Sequence, residues 1–114
     1  DAKSVAECEA ELLKSGHEEN VMIDCSHGNS NKDHEKQIDV LEDIASQIGD
    51  GNKSIIGVML ESNLEAGNQP IPDDLADLKY GVSITDACIN WGATENALRE
   101  FAAAIGPALK DRSA

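Results

Sequence analysis

Two short apolar runs, each ending abruptly at a polar side chain of the kind that binds ligands, constrain this chain more than any other feature. Val21-Met22-Ile23 gives way to Asp24-Cys25-Ser26-His27, and the run Ser54 to Glu61, carrying Ile55, Ile56, Val58, Met59 and Leu60, gives way at Glu61. Nearly unbroken apolar runs of this length predict strands buried on both faces, the condition of a parallel sheet. Between them, the stripe Ile38, Leu41, Ile44, Ala45 and Ile48 predicts a helix, with Ser30 and Asp33 as its capping pair and Gly49 and Gly51 as its stop. Ahead of the first strand, Val5, Cys8, Leu12 and Leu13 recur at helical spacing over Ala2 to Lys14, with Asp1 as cap and Gly16 at the end.

Beyond Glu61 a polar connection runs from Ser62 to Val82 with Gly67, Pro70 and Pro72, long enough to read as a functional loop. Ser83 to Cys88 reads as an ordered turn. A last helix is expected from about Thr94 to Ile105, with Leu98, Phe101, Ala102 and Ile105 on its packed face, and Gly106-Pro107 weakening or kinking anything beyond. The order is α-β-α-β-loop-α, an α/β class.

Two parallel strands cannot shield both faces of their sheet, so the pattern reads as a slice of something larger. Eight-stranded βα barrels carry their active sites at the C-terminal strand ends, where His27 and Glu61 both fall. The two lie 34 positions apart (61 − 27), the length of one βα unit of roughly 30 residues or more. A start at Asp1, with no methionine and directly ahead of a helical pattern, adds the expectation that the chain is incomplete at the front.

Composition narrows the partners. Apolar residues at 40% and charged residues at 27% suit a folded chain rather than a disordered one. A net charge of −13 disfavours nucleic acid and anionic membrane surfaces, which would repel it. Phosphorylated substrates need convergent cations, and Lys36, Lys53, Arg99 and Lys110 do not cluster, so much of any phosphate site is expected elsewhere. No apolar run approaches the ~20 residues of a membrane span, and no signal-peptide pattern is present. Cys8, Cys25 and Cys88, an odd count without CxxC spacing, argue against a disulfide framework or zinc ribbon and for a reducing, cytoplasmic setting.

His27, Glu61 and Asp86 form the candidate chemical cluster. An imidazole with two carboxylates suits a divalent ion of the Mn, Fe, Co or Zn type better than calcium, and three ligands leave positions open for substrate. The competing reading is a solvated strand-end His and Glu, or helix caps. Asp24 lies back from the tip and reads as a buried acceptor behind the site. A Cys25–His27 metal pair is less favoured than an inert, buried Cys25. Cys8 and Cys88 read as core, His17 and His34 as exposed, and Trp91 as packing. Trp91, Tyr80 and Phe101 are too dispersed for base stacking, and no GxGxxG or Walker-type loop supports a nucleotide cofactor.

Four segments speak together: Val21-Met22-Ile23-Asp24-Cys25-Ser26-His27-Gly28-Asn29-Ser30, Ile56-Gly57-Val58-Met59-Leu60-Glu61-Ser62, Gly67-Asn68-Gln69, and Gly81-Val82-Ser83-Ile84-Thr85-Asp86-Ala87-Cys88. In order and spacing they resemble the closing third of type I 3-deoxy-D-arabino-heptulosonate 7-phosphate (DAHP) synthases. The resemblance implies a C-terminal fragment of a TIM (β/α)8 barrel. Residues 1–114 would form one segment, the last two βα units with the preceding helix, the rest of the barrel being absent.

It further implies a metal-dependent aldol-type transferase that condenses phosphoenolpyruvate with erythrose 4-phosphate and releases phosphate, the first step of the shikimate route to aromatic amino acids. In that family a Cys, a His, a Glu and an Asp hold the metal. His27, Glu61 and Asp86 match the last three, and none of the cysteines here matches the first. The metal would polarise the aldehyde oxygen of erythrose 4-phosphate. Most Arg and Lys contacts to substrate, and the pocket for an inhibiting aromatic amino acid, would come from upstream segments. The fragment would therefore be inactive alone and would work inside a homo-oligomer. Asn90, where a glycine is usual, and Pro70 depart from the pattern. The rival readings are a small acidic α/β interaction module without catalysis and another metal-dependent aldolase on the same barrel.

Overall fold

The structure is a computed structural model and describes residues 1–113. Its elements are α1 (Ala2–Lys14), β1 (Val21–Asp24), α2 (Gln37–Gly49), β2 (Ile55–Met59) and α3 (Trp91–Ser113), with short 3-10 turns at His27–Ser30, His34–Lys36 and Leu75–Asp77. β1 and β2 pair in parallel, Met22 opposite Gly57, Ile23 opposite Val58 and Asp24 opposite Met59, after a register irregularity beyond Val21. Both strands thus end side by side, and the residues that follow them emerge at one rim.

One core joins the layers. Leu41, Ile44 and Ile48 of α2, Ile55 of β2, Ala97 and Ile105 of α3, Val5 of α1 and Cys25 are buried together, with Ile23, Val58, Leu60 and Phe101 packed against them. Among the described residues the sheet's other face is left bare: Met22 is 67% exposed and Ile56 63%. The chain is accordingly drawn out, 54 × 32 × 20 Å with a radius of gyration of 16.8 Å. A compact domain of this length would have a radius of about 13 Å.

Several expectations are corrected. α3 does not stop near Ile105; it runs from Trp91 through Pro107 to Ser113. Proline removes an N–H and crowds the preceding turn, but anchors on both sides hold this helix. Ile105 is buried and Ala108 packs on the core. Beyond them, the Arg112 guanidinium donates to the carbonyls of Ile55, at 2.9 Å, and Asn52. The helix also starts early because Asn90 caps it, its Oδ1 accepting from the Ala93 N–H at 2.8 Å. Its buried stripe is Thr94, Ala97 and Ile105, so Leu98 and Ala102 point to solvent.

Ser30 and Asp33 do not cap α2. Asp33 caps the 3-10 turn before it, accepting from the Glu35 N–H, while the α2 cap position is Lys36, with no side-chain bond. Cys8 is exposed rather than core, because only Val5 of α1 is buried. Trp91 is 58% exposed and does not serve as packing. His34 is half-buried, not exposed.

The connection 62–90 is ordered by cross-links. Gly67 and Cys88 exchange both backbone bonds, the Gln69 N–H donates to Ser83 O at 2.8 Å, and the Gln69 side chain bonds Lys79 and Val82. These place Asp86 beside the strand tips. Among the described residues no helix is long and apolar enough to cross a membrane.

Candidate metal centre

The site begins where β1 ends. Asp24, its last residue, accepts from the Ser26 N–H at 2.7 Å and lies 2.9 Å from His27 Nδ1. The turn that follows places His27 at a φ of +49°, a left-handed conformation uncommon outside glycine, so that its ring projects from the rim. Asn29 ties the turn back by donating to Asp24 O at 2.7 Å. Asp24 is therefore the expected acceptor behind the histidine, although its side chain is half-exposed rather than buried.

His27 Nε2 faces Asp86 Oδ2 at 3.0 Å and Glu61 Oε1 at 3.5 Å. Taking one donor atom from each, His27, Glu61 and Asp86 lie within 4.8 Å of one another. They line a cavity of about 300 Å³ with Ser26, Lys32, Asn68 and Ala87. The three side chains selected from the sequence, on segments 34 and 25 positions apart (61 − 27 and 86 − 61), thus converge. One imidazole nitrogen and two carboxylate oxygens at this separation make a donor set able to hold one divalent ion.

The surrounding groups orient that donor set. Ser26, almost fully buried, donates its hydroxyl to Glu61 Oε2 at 2.7 Å, which leaves Oε1 as the oxygen turned to the cluster. Hydrogen bonds donated to Asp24 and then to Asp86, with the charges of Asp24 and Glu61, hold the His27 pKa above its ordinary value. Cys25, beside them in sequence, takes no part. It is fully buried, and burial together with the Asp24 charge pushes its thiol up to about 11. Among the described residues the only cluster of three or more potential metal-binding side chains is His27, Glu61 and Asp86, and Cys25 is not among them.

Sequence reasoning passed over Gln37, Lys32 and Asn68. Gln37 had left a trace: it stands four, seven and eleven positions before Leu41, Ile44 and Ile48, on their buried stripe. Lys32 had no comparable mark, and Asn68 was marked only as part of the Gly67-Asn68-Gln69 segment. They reach the cavity through the left-handed turn at Asn31 and Lys32 and the bridge between Asn68 and Ser83.

The pattern that defines the DAHP synthetase I family matches residues 1–99. This chain belongs to that family. It is 57% identical over 99 residues to the Tyr-sensitive phospho-2-dehydro-3-deoxyheptonate aldolase of Enterobacter agglomerans, covering 87% of this chain and 46% of that one. To the Tyr-sensitive aldolase of Escherichia coli (strain K12) it is 53% identical over 97 residues, covering 85% of this chain and 27% of that one. Among solved structures, the phospho-2-dehydro-3-deoxyheptonate aldolase of Francisella tularensis SCHU S4 superposes with a TM-score of 0.84 at 49% identity, over 91% of this chain and 30% of that one. This DAHP synthetase I chain therefore spans less than half the length of the curated relatives it matches. All four segments that carry the resemblance lie within residues 1–99.

Proposed function

We propose that this chain is the closing part of a (β/α)8-barrel DAHP synthase, one segment of two βα units with the preceding helix. In the cytoplasm it would supply three of the four metal ligands, His27, Glu61 and Asp86. The observation that carries the reading is their convergence at the strand tips within 4.8 Å. The bare sheet face at Met22 and Ile56 supports the rest, because strands of a parallel barrel need neighbours and cover. Phosphoenolpyruvate and erythrose 4-phosphate would be the substrates, held largely by cations outside this acidic stretch, and the assembled enzyme would be a homo-oligomer.

A divalent ion of the Mn, Fe, Co or Zn type held by His27, Glu61 and Asp86 would supply a Lewis acid for the aldehyde oxygen of erythrose 4-phosphate. The chain's own residues prepare the place. Asp24 accepts from Nδ1–H of His27, so that Nε2, which lies 3.0 Å from Asp86 Oδ2, is the nitrogen that would give up its proton to an ion. Ser26 occupies Oε2 of Glu61 and leaves Oε1 available. Asp86 arrives on a segment braced by the Gly67–Cys88 bridge and by the Asn68 amide, which donates to Thr85 O at 2.9 Å.

The test is His27→Ala in the full-length synthase. Bound metal, measured by elemental analysis, and turnover should fall together. Retained turnover with stoichiometric metal would remove His27 from the ligand set.

A further inference from the structure

Glu61 lies beyond the end of β2, where the strand ladder no longer supports its backbone. The support comes instead from a side chain. Gln37, the first residue of α2, accepts from the Glu61 N–H at 2.7 Å through Oε1 and donates to Glu61 O at 3.0 Å through Nε2. It pairs with both backbone groups as a neighbouring strand would. The same Nε2 lies 3.3 Å from His34 O, which ties the turn ahead of α2 into the arrangement. Gln37 is fully buried, with no exposed surface, so this is no solvated helix-start residue. A buried amide keeps such a position only with its donors and acceptor satisfied.

Glu61 O also accepts from the Ile89 N–H at 3.0 Å, and the Asn63 N–H donates to Ile89 O at 3.0 Å. Ile89 follows Asp86 by three positions. The Glu61 backbone is thus the joint between the Gln37 amide on one side and the Asp86 segment on the other. We infer that Gln37 is a positioning residue of the metal centre, setting the height of Glu61 and, through Ile89, of Asp86 relative to His27. The inference rests on the metal-centre reading above.

It is tested in the full-length synthase carrying this segment, by Mn²⁺ binding to the folded protein with the metal alone, in wild type, Gln37→Met and Gln37→Glu. Methionine fills similar space and removes both bonds. Glutamate keeps the acceptor for the Glu61 N–H but turns an oxygen toward the Glu61 carbonyl. Both should raise the Mn²⁺ Kd about 10- to 100-fold, the usual cost of losing a group that orients a ligand. Ile44→Val, two turns further along the same helix and in the core, should lower stability and leave the Kd of the folded protein unchanged. If Gln37→Met does not fold, Gln37→Glu carries the test.

Wild-type Kd in a folded Gln37 variant, with wild type binding Mn²⁺ and His27→Ala not, would overturn this inference and leave the metal centre standing. An equal loss in Ile44→Val would show a general packing effect and overturn it too. Wild type binding no divalent ion would overturn both readings.

Discussion

Gly81→Ala tests whether the long connection is a built part of the site. Gly81 has a φ of +78°, and a Cβ placed there would lie 2.8 Å from Leu64 Cβ. A left-handed conformation costs alanine roughly 1–2 kcal/mol. Overpacking typically adds about 1–3 kcal/mol, and rotating the Leu64 side chain brings little relief because the close atom is its Cβ. The sum is about 2–5 kcal/mol, to be lost locally, since Gly81 O accepts from the Glu65 N–H at 2.9 Å and the next bond joins Gln69 N to Ser83 O at 2.8 Å. Hydrogen exchange in the full-length protein reads it: with about 1.4 kcal/mol per tenfold, protection at the Glu65 and Gln69 amides should drop by at least about 30-fold. In a double mutant, Leu64→Gly should restore the packing share and leave the backbone share, whereas Leu64→Ala should restore little. Unchanged protection in Gly81→Ala, or full rescue by Leu64→Ala, would refute the reasoning.

Two further outcomes follow from titratable groups. The folded metal-free chain should show one fast thiol toward an aromatic disulfide reagent, the exposed Cys8. Cys25, buried with its thiol pushed up to about 11, and the buried Cys88, also raised by burial, should react only after unfolding. Rapid loss of all three thiols under native conditions would contradict the packing described. The raised His27 pKa fixes a sign: the folded value lies above 6.5, so the stabilisation from Asp24 and Asp86 is complete below that pH and lost as pH rises through the folded value. Metal-free protein should therefore lose stability relative to His27→Gln as pH rises from below 6.5 through the raised folded value, while metal affinity should rise over the same range as protons leave Nε2. Stability of the metal-free wild type rising against the variant would reverse the assignment.

What could be read in the sequence, and what could not, divides by the reach of the interaction. The strands, α2 and the polar residues at the strand tips were legible because apolar runs and stripes are local: Val21 to Ile23 and Ile55 to Leu60 announce strands on their own, although the burial expected on both faces is met on one, Met22 and Ile56 being exposed. Gly106-Pro107 also announces something local, a break, and there the local signal loses. Arg112 meets the carbonyls of Ile55 and Asn52 across 57 and 60 positions. No window around Pro107 contains those partners. The stripe on α3 slipped for a related reason, because hydropathy favours Leu98, whereas the smaller Ala97 is the one buried in the core. Gln37 is the sharpest case. Its polarity at a helix start argues for solvent, its spacing with Leu41, Ile44 and Ile48 argues for the core, and spacing wins because the Glu61 backbone, 24 positions on, satisfies the amide. A polar residue that keeps step with an apolar stripe is therefore better read as a buried connector awaiting a distant partner, and in this fold that partner is the backbone of a residue at the candidate metal centre.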